Sequence, residues 1–165
     1  MQQLKELLTR YQSKGILVDT NLLLLYFIGI YDPQRIPRFK RTMIFAVEDF
    51  YTLLGFFKYF RKVVTTPNIL TEVNSLANQL SENLKIAFYP KFADQLTVLE
   101  EHYITSMEVS STPFFLKLGL TDAGILNLAQ GQYLVLTDDF RLVGYLEKHG
   151  VDVINFNHIR TMNWS

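Results

Sequence analysis

Carboxylates at the ends of predicted structural elements are the residues of this chain best suited to chemistry. They follow predicted strands or fall in the first turns of predicted helices: Asp19, Glu72, Asp122, Asp138 and Asp139. Carboxylates gathered at one place repel one another unless cations neutralise them, and oxygen ligands alone favour Mg²⁺ or Mn²⁺ over zinc. Metal ions held in this way activate water and stabilise the leaving oxygen of a phosphodiester.

The elements that position these acids are predicted to alternate between strand and helix. Short apolar runs typical of strands buried on both faces lie at 15–18, 63–66, 133–136 and 151–156. Helical patterns lie at 2–12, 43–62, 67–80, 89–103, 122–129 and 140–149, and another begins near residue 22. This alternation predicts an α/β fold with a central, mostly parallel sheet flanked by helices. The carboxyl ends of its strands, and therefore the acids, are expected at one edge.

Other acids are predicted to lie on helix surfaces, away from that edge: Glu48, Asp49, Glu82, Glu100 and Glu101. The three histidines show no ligand spacing, and His149 beside Gly150 is predicted to satisfy the end of a helix.

Composition excludes several classes of protein. The 165 residues carry 16 basic and 16 acidic side chains, so the formal net charge is zero and a strongly basic coat for nucleic acid is excluded. Cysteine is absent, which excludes disulfides, thiolate zinc sites and cysteine nucleophiles. The apolar run 22–30 is too short to cross a membrane, a single domain is predicted over 1–165, and the charged residues near the N-terminus favour a cytoplasmic protein over a secreted one.

Four sequence patches, in this order, make the chain similar to the PIN-domain nucleases, including VapC-like ribonucleases. They are ILVDTN (16–21), PNILTEV (67–73), LGLTDAGILNLA (118–129) and LVLTDDF (134–140). The resemblance implies a single PIN-like domain and a divalent-metal-dependent endoribonuclease that uses Mg²⁺ or Mn²⁺. It also implies an RNA substrate, a homodimer and, if the protein is a toxin, an antitoxin partner.

The roles of individual residues come from the same resemblance. Asp19, Glu72 and Asp122 match the first three metal-binding acids of the family. The fourth is Asp138 or Asp139, and we favour Asp139 because the second residue after Thr137 points the same way as Thr137 on an extended chain. Asn21 and Thr137 match the polar positions that orient metal ligands and water.

Two alternatives to a nuclease were weighed. Each acid, taken singly, has an ordinary structural explanation as a helix cap or a first-turn acid, so a catalytically silent PIN-fold module that binds RNA or protein remains an alternative. A phosphatase of the haloacid-dehalogenase type is rejected, because its motif needs an acid where Asn21 stands.

The segment 32–62 lengthens the gap between Asp19 and Glu72 beyond that of compact family members. It is predicted to be a basic loop, 32–42, followed by a helix, and its first part carries four cations: Arg35, Arg38, Lys40 and Arg41. Because the segment leaves the sheet after Asp19 and returns before Glu72, we predict that these cations hold phosphates that flank the cleaved bond. A solvated loop is the alternative.

Overall fold

Five short strands form one parallel sheet in the computed structural model, which describes residues 2–162. The strands are β1 (Ile16–Val18), β2 (Val63–Thr65), β3 (Glu100–Glu101), β4 (Leu134–Thr137) and β5 (Val153–Asn155). Their order across the sheet is β3-β2-β1-β4-β5, and every neighbouring pair is parallel. The predicted α/β fold with a parallel sheet flanked by helices is confirmed.

Nine α-helices and one 3-10 helix occupy the described residues. The α-helices are α1 (Gln2–Tyr11), α2 (Thr20–Tyr31), α3 (Val47–Tyr59), α4 (Pro67–Ala77), α5 (Glu82–Leu96), α6 (Ser106–Ser110), α7 (Phe115–Ala129), α8 (Phe140–Lys148) and α9 (Phe156–Met162). The 3-10 helix is Pro33–Arg38.

The centre of the core is formed by β1 and the helix that follows it. All three residues of β1 and the apolar residues from Leu22 to Ile28 on α2 are buried. A helix that is apolar on every side must be covered on every side, and α2 accordingly packs against α3, α4, α5 and the 3-10 helix. Across the described residues, no helix has the length and apolar character needed to cross a membrane.

The predicted helix 89–103 is wrong. The helix there, α5, begins at Glu82, continues through Pro90 and ends at Leu96. Glu100 and Glu101 then form β3, the edge strand paired with Val64 and Thr65 of β2. The mid-helix positions predicted for Glu82, Glu100 and Glu101 are therefore also wrong.

The predicted helix 43–62 is too long at both ends. α3 starts at Val47, because the carboxylate of Asp49 accepts the backbone N–H of Ala46 (2.8 Å) and closes the first turn. Asp49 is buried and forms an ion pair with Arg160 of α9 (2.7 Å), so it is not the surface acid that was predicted.

The predicted loop 32–42 is more ordered than expected. Its first half is the 3-10 helix, which Asp32 caps by accepting the N–H of Gln34 (3.0 Å). Ile36 and Phe39 are buried, and the buried hydroxyl of Thr42 donates to the carbonyl of Ile36 (2.9 Å). The apolar residues of the segment anchor it to the core, while Arg38, Lys40 and Arg41 are exposed and Arg35 is half-buried.

Helices α2 and α3 are in close contact at Gly29, where a Cβ atom would overlap the ring of Phe50. We therefore expect Gly29→Ala to lower the free energy of unfolding by about 1–3 kcal/mol, the usual cost of overpacking a core. Gly55→Ala is the matched control, because Gly55 lies on the exposed side of α3 with nothing near its Cβ position. That variant should gain about 0.5–1 kcal/mol from helix propensity alone. Urea denaturation of both variants checks the contact, and a stabilised Gly29→Ala would contradict it.

Candidate active site

The carboxyl ends of the two central strands lie side by side. β1 pairs with β4 in register, with Val18 opposite Leu136, and the backbone N–H of Asp19 donates to the carbonyl of Leu136 (3.0 Å). After β1 the chain adds β2 and β3 on one side of it, and it then adds β4 and β5 on the other side. Open parallel sheets bind ligands at this kind of switch point.

A cleft of about 660 Å³ opens at this edge. Four carboxylates from four separate parts of the chain line it: Asp19, Glu72, Asp122 and Asp139. Apolar side chains from α4 and α7 form another part of its lining: Leu76, Phe115, Leu118 and Leu120. The structure thus places the four acids favoured from the sequence around one cavity.

Asp19 is the most deeply buried of these acids, with 7% of its surface exposed. One carboxylate oxygen accepts the N–H of Thr20 (2.7 Å) and caps α2, and the other accepts the hydroxyl of Thr137 (2.6 Å). Burial raises the pKa of Asp19 to about 6, against the lowering effect of these two hydrogen bonds. Thr137 therefore orients the carboxylate of Asp19.

Glu72 is held over the cleft by two hydroxyl groups. Thr121 of α7 donates to one of its carboxylate oxygens (2.6 Å), and Thr20 of α2 donates to the other (2.9 Å). A long, exposed side chain is thereby fixed between two helices that also carry cleft residues. Neither Thr20 nor Thr121 is among the candidate site residues of the sequence analysis, so this contact was missed.

Asp122 owes its position to a kink in α7. Gly119 adopts a backbone conformation with φ of 76°, which glycine alone adopts at little cost, and the helix restarts just before Asp122. Burial, together with the charges of Asp19, Asp139 and Glu72, raises the pKa of Asp122 to about 7. The four carboxylates therefore act on one another electrostatically.

Asp138 and Asp139 point to different surroundings. Asp139 lines the cleft, and its carboxylate caps α8 by accepting the N–H groups of Arg141 (2.8 Å) and Leu142 (3.3 Å). Asp138 accepts a hydrogen bond from the amide of Asn21 (3.3 Å), and burial raises its pKa. Asn21 itself lines the cleft, so its hydrogen bond connects Asp138, which is not part of the lining, to the site.

The donor set suits a hard divalent cation. The cleft offers carboxylate and hydroxyl oxygens, which are the ligands that Mg²⁺ and Mn²⁺ prefer, and the mutual repulsion of the acids is the kind that such an ion relieves. In the part of the chain that the structure describes, no three His, Asp or Glu side chains stand close enough together to hold an ion as they are. An ion held by three of the acids would have to draw them closer together.

The predicted basic cations do not line the cleft. Arg35 and Arg38 lie on the 3-10 helix, and Lys40 follows it. Arg41 donates to Gln79 just beyond the end of α4 (2.7 Å), about two helical turns from Glu72. A cation that the sequence analysis did not single out, Arg141 of α8, lies close enough to Asp122 for its charge to oppose the rise in the pKa of that carboxyl.

His149 ends α8 as predicted, since its Nδ1 lies 2.8 Å from the carbonyl oxygen of Tyr145. His102 contacts Glu100 and Tyr133, and neither histidine lines the acidic cleft.

Comparison with known proteins finds no match: no protein-family model, no curated protein and no solved structure is similar to this chain. The similarity to PIN-domain nucleases therefore stays a prediction from the sequence patches.

Proposed function

We propose that this protein is a divalent-metal-dependent endoribonuclease with a PIN-like fold. One observation carries the proposal: carboxylates from four separate parts of the chain line a single cleft at the carboxyl edge of a parallel sheet, where burial and their charges raise the pKa of Asp122. Repelling acids are costly to the fold, so their convergence favours a role in binding cations.

The residues of the cleft would have different roles in this reaction. Asp19, Asp122 and Asp139 would hold one or two Mg²⁺ or Mn²⁺ ions, with Glu72 completing the set directly or through water. Bound there, such an ion would activate water and stabilise the departing oxygen of the phosphodiester. Thr137 holds Asp19 in place (2.6 Å), while Thr20 and Thr121 hold Glu72, so these acids are oriented before any ligand arrives.

Cleavage of RNA by the purified protein tests the proposal. We expect single-stranded RNA to be cut in Mn²⁺ or Mg²⁺ and to stay intact when EDTA is added. RNA binding with no cleavage in either metal would instead favour a catalytically silent PIN-fold module. Cleavage that persists in EDTA would contradict the metal-dependent mechanism.

The basic segment is proposed to contact RNA outside the cleft. If Arg35, Arg38 and Arg41 hold flanking phosphates, replacing all three by Ala should lower the slope of log affinity against log salt by about 0.7 for each lost contact with a single strand. Fluorescence anisotropy over a salt series measures the slope. An unchanged slope and affinity would assign the segment to solvent or to a protein partner.

The same proposal includes a toxin role, an antitoxin partner, a homodimer and a cytoplasmic location. The apolar side chain of Phe140 is more than half exposed, and Phe140 directly follows Asp139 of the cleft. Exposed apolar side chains beside an acidic cleft favour a protein that covers it. Sedimentation equilibrium distinguishes a dimer from a monomer, and a monomer at high concentration would contradict the dimer.

A further inference from the structure

Two contacts hold Arg141 next to residues that line the acidic cleft, although Arg141 is not itself part of the lining. Its backbone N–H donates to the carboxylate of Asp139 (2.8 Å), which fixes it in the first turn of α8. Its guanidinium donates through Nη2 to the carbonyl of Lys117 (2.5 Å), the residue before Leu118 of the cleft wall. The side chain therefore spans the gap between α8 and the part of α7 that precedes the kink at Gly119.

The guanidinium of Arg141 is only partly used in hydrogen bonds, although acids are close by. Its charge is felt at Asp122, where it opposes the effect of the neighbouring carboxylates. It nevertheless forms no ion pair with any carboxylate among residues 2–162, whereas Arg10 pairs with Asp152 and Arg160 pairs with Asp49. One N–H is used on Lys117, and the remaining donors of the fork have no acceptor within the described chain.

An arginine in this position is suited to an anion that enters the cleft. A phosphodiester that approaches four carboxylates is repelled by them, and a cation at the rim offsets part of that repulsion. The guanidinium fork matches two oxygens of a phosphate group, while its bond to the carbonyl of Lys117 restricts its rotation in advance. The ring of Tyr145, 5.9 Å from the guanidinium carbon, flanks it on its own helix.

We propose that Arg141 binds the phosphate next to the cleaved one and so sets the register of the RNA strand in the cleft. This inference rests on the proposed ribonuclease function. Because the contact is to a phosphate that does not react, it should exist equally before and during cleavage. Its loss should then raise KM while leaving kcat unchanged.

Binding of a short fluorescein-labelled single-stranded RNA tests the proposal, with Asp19→Asn as a cleavage-dead background and Mn²⁺ present. Adding Arg141→Gln should weaken binding about tenfold, the scale of a charge-assisted hydrogen bond, and should lower the salt slope by about 0.7. Arg141→Lys keeps the charge but not the fork, so it should keep the slope and lose part of the affinity. Lys148→Gln, in the last turn of the same helix, is the matched control and should change neither quantity.

Two further measurements separate this role from a structural one. With Asp19 intact, Arg141→Gln should raise KM for RNA about tenfold at unchanged kcat, in line with the lost contact. Its Mn²⁺ affinity, measured by electron paramagnetic resonance, should stay at least as high as that of the wild type, because a repelling cation has been removed. A merely structural arginine would weaken Mn²⁺ binding as well.

The outcomes distinguish the two proposals. If the wild type cleaves RNA and both Arg141 variants keep its affinity, salt slope and KM, the inference about Arg141 is wrong and the ribonuclease function stands. If Lys148→Gln lowers the slope as much as Arg141→Gln does, the contact is not specific to the cleft rim and the inference is again wrong. If the wild type binds Mn²⁺ but neither binds nor cuts RNA, the ribonuclease function itself is wrong.

Discussion

Asp19→Asn should reduce RNA cleavage by about 1,000-fold or more, the scale on which hydrolases lose activity when a central catalytic group is removed. Asp19 lies at the end of the central strand and lines the cleft with three other acids. Asn keeps the shape and can still accept the N–H of Thr20 and cap α2, but it loses the negative charge that a divalent ion needs. Initial rates with a labelled RNA in saturating Mn²⁺ measure the effect.

Two comparisons make this result specific. Asp94→Asn removes an exposed acid of α5 and should leave the cleavage rate unchanged. The thermal unfolding midpoint of Asp19→Asn in EDTA should be no lower than that of the wild type, because a buried carboxylate with a raised pKa has been neutralised. Full activity in Asp19→Asn would show that the reaction takes place elsewhere. Asp19→Ala is a poorer variant, since it also removes the cap of α2.

Asp122→Asn should stabilise the metal-free protein and reduce its response to metal. At neutral pH the carboxyl of Asp122 is held among Asp19, Asp139 and Glu72, which raise its pKa, so its charged form is unfavourable in the folded state. Replacing it by a neutral amide should add on the order of 2 kcal/mol to the free energy of unfolding. In a chain of this length that corresponds to a midpoint about 5 °C higher in EDTA.

The same group gives the stability a definite pH dependence. Folding raises the pKa of Asp122 from 3.8 to about 7, so the folded state binds more protons than the unfolded state between these values. Stability is therefore lost as the pH rises from about 4 through about 7, and Asp19, with a pKa of about 6, acts in the same direction. We expect the metal-free midpoint to fall between pH 5 and pH 8 by about the same 5 °C. The fall should be smaller in Asp122→Asn.

Mn²⁺ supplies the decisive comparison for Asp122. The ion binds the folded form and raises the wild-type midpoint by mass action, and loss of one ligand should shrink that shift. Asp94→Asn should show the wild-type midpoint in EDTA and the full Mn²⁺ shift. If Asp122→Asn melts lower than the wild type in EDTA and keeps the full Mn²⁺ shift, the four acids do not form a shared site.

The acids could be predicted because the residues on either side of them in the sequence show where they lie in the fold. Asp19 and Asp139 each follow a continuous apolar strand and precede a helix, and an acid at such a junction is visible in the sequence whatever its final role. Parallel strands bring these junctions to one edge, so their meeting in a cleft follows from the fold class alone. The local pattern also explains why a helix-cap interpretation was reasonable, since Asp19 and Asp139 do cap α2 and α8.

The region between α4 and α7 could not be predicted because its local pattern points elsewhere. Pro90 lacks an N–H and usually marks a helix boundary, yet α5 passes through it. The edge strand β3 has two residues, both glutamates, and neither alternation nor β propensity distinguishes it from a helix end. Its position depends on pairing with β2, which is a tertiary contact.

Arg141 and the two threonines that hold Glu72 were missed for a related reason. Nothing in the spacing of Thr20, Thr121 and Glu72 along the chain shows that three helices will bring their side chains within hydrogen-bond distance. The sequence places Arg141 within the predicted helix 140–149 and gives it no further role. Residues that orient other side chains can be recognised only from contacts between residues that are far apart in the sequence. The acids, by contrast, can be recognised from their position between a strand and a helix.

The central position of β1 also has a consequence for how the chain is made. Ile16 pairs with Val63 on one side and with Leu134 on the other, so β1 gains its second neighbour only after β2 and β3 have been synthesised. A nascent chain that ends before Leu134 leaves one edge of an apolar strand without a pairing partner, and such edges attract other chains. Asp139 also has no place beside Asp19 until β4 has joined the sheet. Synthesis must therefore pass β4 and Asp139 before the cleft can assemble, and pauses before β4 are where chaperone binding should matter most.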